Sequence, residues 1–238
     1  MIKPLLPILF LLTTAAVARA DDDQVCFSRS TKNLEASIKA CTAIVQRPIL
    51  TPEWKARALR ARGFYYEHQH RFERALSDYN AAITADPSSG SARIARVGVY
   101  VTLGKFRGAQ KENDVMLRMF PEQSEILNNS CWIHAALWEL NAALADCNRS
   151  LALLPGAVET LDSRGFVYLR MRNYKLALAD YDMAIKLAPN HATSLYVRGV
   201  IKRKLGDITG GNADITAAGK INPEVAESYA PYGLTQGN

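Results

Sequence analysis

Four histidines and four cysteines are the residues of this chain whose types could do metal or redox chemistry. His68 and His70 are close enough to share a metal ion, as a metal-dependent enzyme would require, but no third ligand stands at a metal-site spacing. The cysteines Cys26, Cys41, Cys131 and Cys147 form no CxxC pair, so a thioredoxin-like redox role lacks its motif. Nucleophile elbows, phosphate-binding glycine loops, GxGxxG turns and HExxH helices are all missing from the sequence. The chain therefore reads as a non-enzyme with no catalytic residue, metal or cofactor. A metal-dependent enzyme using His68 and His70 is the remote alternative.

The elements that position these residues begin after a segment that does not belong to the fold. Residues 1–20 carry one early cation, Lys3, an apolar stretch from Leu5 to Val17, and small residues around Arg19 before Asp21, Asp22 and Asp23. That pattern is a cleavable secretory signal, and it predicts an exported protein, periplasmic or secreted, in a bacterium. Removing Lys3 and Arg19 lowers Lys plus Arg from 29 to 27 against 23 acids, so a net charge of +6 becomes +4. That is too modest to argue for nucleic acid. With 48% hydrophobic and 22% charged residues the chain is ordinary for a globular protein, and no remaining run could span a membrane.

Self-similarity organises the rest. Pro87, Pro121, Pro155, Pro189 and Pro223 recur every 34 residues. Ahead of them run a column of Gly63, Val97, Cys131, Gly165 and Gly199, another of Ala75, Ala109, Ala143, Ala177 and Gly211, and an apolar one of Phe72, Phe106, Leu140, Tyr174 and Ile208. Apolar spacing of three and four within each unit predicts two helices, such as 158–171 and 174–187, and proline ends the second. On these residues, most fully on Gly63, Tyr66, Ala75, Tyr79, Ala82 and Pro87 and on Gly165, Tyr168, Ala177, Tyr181, Ala184 and Pro189, the sequence resembles the tetratricopeptide repeat (TPR) family. In particular it is similar to small secreted members from Gram-negative bacteria. The resemblance implies an all-α, right-handed solenoid of about five helix-turn-helix units with an N-terminal helical cap. Its domains are a signal at 1–20, a capping segment and helix at 21–55, repeats at 56–89, 90–123, 124–157, 158–191 and 192–223, and a C-terminal cap and tail at 224–238.

The repeat sets side chains opposite one another. Arg62, Arg164 and Arg198 mirror Asp78, Asp180 and Asp214 about the turn of their hairpins, which predicts intra-repeat ion pairs rather than catalytic carboxylates. The third copy has Ser130 in place of arginine and alone sets cysteines, Cys131 and Cys147, at two mirrored positions. With export, that predicts a disulfide clamping the middle hairpin. A Cys26–Cys41 bridge is feasible if the chain before Thr31 folds back along the helix predicted for 31–46. That helix climbs about 15 Å from Thr31 to Cys41, and five extended steps reach about 17 Å.

In this family the first helices line the concave face, so the resemblance implies a groove walled by Arg60, Phe64, Ile94, Asn128, Trp132, Asp162, Phe166, Tyr196, Val200 and Arg203. The expected partner is an unidentified protein or peptide with apolar anchors. Some of these side chains could instead pack on neighbouring helices or the C-terminal segment. The acidic centre around Glu125, Glu159 and Asp162 offers no continuous basic track for nucleic acid. The alternatives to a groove are a structural subunit of an envelope assembly and a self-associating array, each using convex or edge surfaces. Oligomeric state is not legible in the sequence.

Overall fold

The computed structural model describes residues 21–234, and every regular element among them is helical. The signal expected at 1–20 and the last four residues of the tail lie outside the described residues. A first helix, α1, covers residues 21–27, and α2 (Leu34–Val45) follows, with the Asn33 side chain accepting from the Ala36 N–H. The fold-back to Cys26 is thus made by a helical turn and loop rather than an extended strand. It brings the Cα atoms of Cys26 and Cys41 to 4.9 Å, where they are disulfide-bonded.

Five hairpins come next: α3 (Pro52–His68) with α4 (Phe72–Ala85), α5 (Gly90–Thr102) with α6 (Phe106–Met119), α7 (Ser124–Ala136) with α8 (Leu140–Leu153), α9 (Val158–Arg170) with α10 (Tyr174–Leu187), and α11 (Ala192–Lys204) with α12 (Ile208–Ile221). α13 (Val225–Tyr229) and a 3-10 turn (Ala230–Tyr232) close the chain. The first hairpin begins earlier than the period suggests. Pro52 takes the first helical position and Thr51 caps it, its hydroxyl accepting from Trp54 N–H, so residues 52–55 are helical. No described helix is long and apolar enough to cross a membrane.

Each hairpin turns by the same backbone device. His70, Gly104, Trp138, Arg172 and Gly206 all hold left-handed φ, between 56° and 96°, and they stand at the same place in each repeat. The N–H of the following residue then reaches back to cap the first helix, as from Arg71 to Tyr66 O (2.9 Å) and from Asn173 to Tyr168 O (2.8 Å). His70 is therefore a turn residue in a conformation that glycine adopts more easily, its ring edge-on to Phe72.

The chain forms two compact units that divide between Glu112 and Asn113. Both are cored by the small-residue columns. Ala75, Ala143 and Ala177 are fully buried, and a methyl group added to Gly63 would lie 2.5 Å from the Tyr79 ring. In the last hairpin Gly199 lies against the backbone of Gly211, leaving no room for a methyl on either. The helices approach this closely only because those positions are small.

Candidate interaction site

The arginines and acids of the repeat form bidentate pairs within their hairpins. Arg62 donates through Nε and Nη2 to Asp78 at 2.8 and 2.7 Å, Arg164 likewise to Asp180, and Arg198 to Asp214 at 2.7 Å through both nitrogens. The acids are nearly buried. The remaining nitrogen of each arginine reaches an earlier helix, at Thr42 (3.0 Å), Asn148 (2.9 Å) and Asp182 (2.8 Å) respectively. Each guanidinium thus ties one helix pair to the element before it. Hydrogen bonds donated to the acids hold all three above the ordinary arginine pKa. Burial alone would raise the Asp214 carboxyl, but Arg198 and Lys202 hold it below the usual carboxylate value.

The third hairpin has no arginine at that position, and Arg149 reaches Asp146 only at 3.9 Å. Ser130 Oγ donates to Asp146 at 2.7 Å and His134 Nδ1 sits 2.8 Å from the same oxygen. His134 occupies a tyrosine position, yet it is more than packing: its bond to Asp146 raises its pKa, with Glu139 and Asp114 adding to the effect. Cys131 and Cys147 are disulfide-bonded beside it, their Cα atoms 5.3 Å apart.

In the second unit the face predicted as a groove is covered by the chain's own residues 225–234. Trp132 and Phe166 stack at 5.0 Å, and the Tyr232 ring meets them edge-on at 5.4 and 5.6 Å. Tyr229 lies 6.2 Å from Phe166 and 6.1 Å from Tyr196, whose hydroxyl donates to Leu234 O at 3.0 Å. Arg170 lies over Trp138, Phe166 and Tyr232, its guanidinium donating to Ala135 O. Phe166, Tyr196 and Val200 are consequently buried, and Trp132, Asn128 and Arg203 are half-buried.

Asp162 is buried with them. It accepts from Ser194 Oγ (2.6 Å), Thr193 Oγ1 (3.2 Å) and the Tyr229 hydroxyl (3.3 Å), with His191 Nδ1 at 3.7 Å. Burial raises its pKa despite these donors. Ser194 Oγ also lies 2.7 Å from His191 Nδ1, but it is fully buried, so this Asp, His and Ser offer no hydroxyl to a substrate from solvent.

In the first unit Arg60 and Phe64 line a pocket of about 140 Å³, and Ile94 is half-buried. His68 and His70 border a second hollow of about 240 Å³ with Phe64, Glu67, Phe72 and Thr102. Among the described residues no three His, Cys, Asp or Glu side chains come together as a metal site.

The tetratricopeptide repeat family matches residues 158–191, the fourth hairpin. Solved structures extend the likeness across the chain. A tetratricopeptide repeat protein from Parabacteroides merdae superposes with a TM-score of 0.71 at 16% identity, covering 93% of this chain and 94% of its own. A thermophilic member from Thermus thermophilus gives 0.65 at 16% identity, covering 75% and 97%. This chain has the tetratricopeptide repeat fold. YrrB, described as a tetratricopeptide repeat protein with an unusual peptide-binding site, also shares the fold, with a TM-score of 0.53 at 19% identity over 83% of this chain and 100% of its own. No curated protein sequence matches significantly.

One feature of this chain escaped the sequence reading. The Asp162 cluster joins residues from three helices, and only the polar pair Thr193 and Ser194 at the start of α11 hinted at it. The cover of residues 225–234 is the packing on the C-terminal segment that the sequence left open as the alternative to a free groove.

Proposed function

We propose that the chain is an exported, non-enzymatic scaffold that binds a protein or peptide through the face carried by its first helices. The observation that carries this reading is the seat of residues 225–234 on that face in the second unit. A short segment of this very chain is held there by aromatic contact, by a hydroxyl bond to its backbone at Leu234 and by one to Asp162. Those are the terms on which a foreign peptide would be recognised. The peptide-binding site named for YrrB supports the same use of the fold. Export is supported by two disulfides, which persist in oxidising compartments, together with the composition of residues 1–20.

A second reading, an assembly subunit using the opposite surface, is favoured by one observation. Leu176, Met183 and Leu187 are exposed along α10. Photo-crosslinking separates the two. A benzoylphenylalanine at Gly98, where an added side chain meets open space, or at Phe64 should trap the partner in cells, and one at Leu176 should not. Trapping at Leu176 alone would overturn the groove reading.

A further inference from the structure

We propose that the pocket between the disulfide-pinned end of α1 and α3 binds a phosphate monoester with an apolar organic part. The pocket is lined by Cys26, Phe27, Arg29, Arg57, Arg60 and Phe64, with Ala61 and Tyr65 completing it. Three of these side chains are guanidiniums and none is a carboxylate. Arg62, Arg93, Arg96, Arg164 and Arg198, by contrast, are each paired with a carboxylate. Among the described residues Arg29, Arg57 and Arg60 have no ion-pair partner. Glu67, the acid two turns along α3 from Arg60, is taken by the Tyr79 hydroxyl at 2.7 Å.

One wall of the pocket is held in place. The Cys26–Cys41 disulfide fixes the end of α1, and the Tyr65 hydroxyl donates to Cys26 O at 2.9 Å, pinning it to α3. Arg57 lies over the rings of Phe27 and Trp54, at 4.4 and 5.1 Å. Arg57 and Arg60 are one turn apart and share a face of the helix, where like charges repel. Arg60 is half-buried, and burial together with the charges of Arg29 and Arg57 lowers its pKa. Among the described residues no carboxylate pairs with these three guanidiniums, and an anion would offset their charge.

The number of donors selects the anion. A carboxylate carries one charge on two oxygens and would leave a guanidinium without a partner. A phosphate monoester carries about −1.5 to −2 at neutral pH on three oxygens, one for each arginine. About 140 Å³ admits a group of several heavy atoms, and Phe27 and Phe64 offer ring surface to the ester's organic part. The pocket shares Arg60 and Phe64 with one end of the face proposed for peptide capture, but phosphate binding there does not require that a peptide be captured.

Calorimetric titration of the whole processed protein with phenyl phosphate, inorganic phosphate and benzoate, at constant physiological ionic strength, tests it. The expected order of affinity is phenyl phosphate, then inorganic phosphate, then benzoate. Phenyl phosphate should weaken as pH falls through about 6, where the dianion is lost. Removing charge-assisted bonds with Arg57→Gln or Arg60→Gln should cost about ten-fold each. Arg149→Gln, an exposed arginine of the second unit, should cost nothing, and melting curves confirm that each variant is folded. Phosphatidic acid vesicles identify the source: capture places the phosphate on a lipid, and binding of phenyl phosphate without capture places it on a soluble ester. No titration by any phosphate, equal binding of benzoate, or equal loss in Arg149→Gln would each overturn the proposal. Failure here leaves the crosslinking result untouched, because that result is read without phosphate.

Discussion

Tyr229 donates its hydroxyl to Oδ2 of Asp162, 67 residues earlier in the chain and 3.3 Å away. The bond joins the C-terminal helix to a carboxylate that burial has stripped of water, so the cover over Trp132 and Phe166 is both apolar and polar in origin. Two substitutions separate these parts. Tyr229→Phe removes one donor from a buried carboxylate and should cost about 1–3 kcal/mol. Tyr229→Ala also removes the ring from the aromatic cluster and should cost about 3–5 kcal/mol. Urea unfolding gives both values, and equal costs would show that the hydroxyl carries the contact alone.

The bidentate Arg164–Asp180 pair is an ordering device whose removal is asymmetric. Asp180→Ala strands a half-buried guanidinium that then keeps only Asn148, and should destabilise by about 2 kcal/mol, the scale of hydrogen bonds to a charged group. Replacing both partners, Arg164→Met with Asp180→Leu, should recover most of that loss, because no charge is then left unpaired. Denaturant titration of the single and double variants checks the sign. A double variant worse than Asp180→Ala would mean that the link from Arg164 to Asn148 contributes more than the pair itself.

His134 gives the third hairpin a pH dependence of its own. Asp146 raises its folded pKa above the unfolded value of about 6.5. A raised pKa means the folded state binds the proton more tightly, so the stabilisation is fully present below the unfolded value. It is lost as pH rises through the folded value. His134→Gln keeps a hydrogen-bonding group without the charge and should be flat over the same range. Unfolding free energies of the two proteins should therefore differ most on the acid side of neutrality and converge in mild alkali. A constant difference would show that the imidazole contributes through packing only.

How much of this was visible in the sequence depends on the range of the contact. The hairpins, their prolines and the arginine–acid pairs repeat with the period, so five weak signals reinforce one another at Pro87 or Asp180. The left-handed turn position repeats just as strictly but is filled by His70, Gly104, Trp138, Arg172 and Gly206, residues with no shared chemistry, because only their backbone is used. The cover over Phe166 and the donors to Asp162 arise once, between segments far apart in the chain, and no repetition announces them. Ser130 was legible as a missing arginine. That His134 would share the task of satisfying Asp146 was not, since its column holds the tyrosines Tyr66, Tyr100 and Tyr168, and only Lys202 of the fifth copy reaches an acid in the same way.

The Cys131–Cys147 bridge occupies the two positions where the first and fourth hairpins set a glycine against a tyrosine ring, Gly63 with Tyr79 and Gly165 with Tyr181. Both cysteines are fully buried. A disulfide closing a loop of 16 residues stabilises by about 3 kcal/mol, chiefly by restricting the unfolded chain. Cys131→Ala with Cys147→Ala should lose that amount, with a further share for the space left behind. Cys131→Gly with Cys147→Tyr fills the space in the manner of the other hairpins and should recover the packing share but not the loop share. Denaturant midpoints of the three proteins, with and without reductant, measure the two contributions separately. Reductant should lower the midpoint of both variants less than that of the parent, because each retains only the Cys26–Cys41 bond. If the glycine–tyrosine variant is no more stable than the alanine variant, the bridge has replaced that packing rather than added to it.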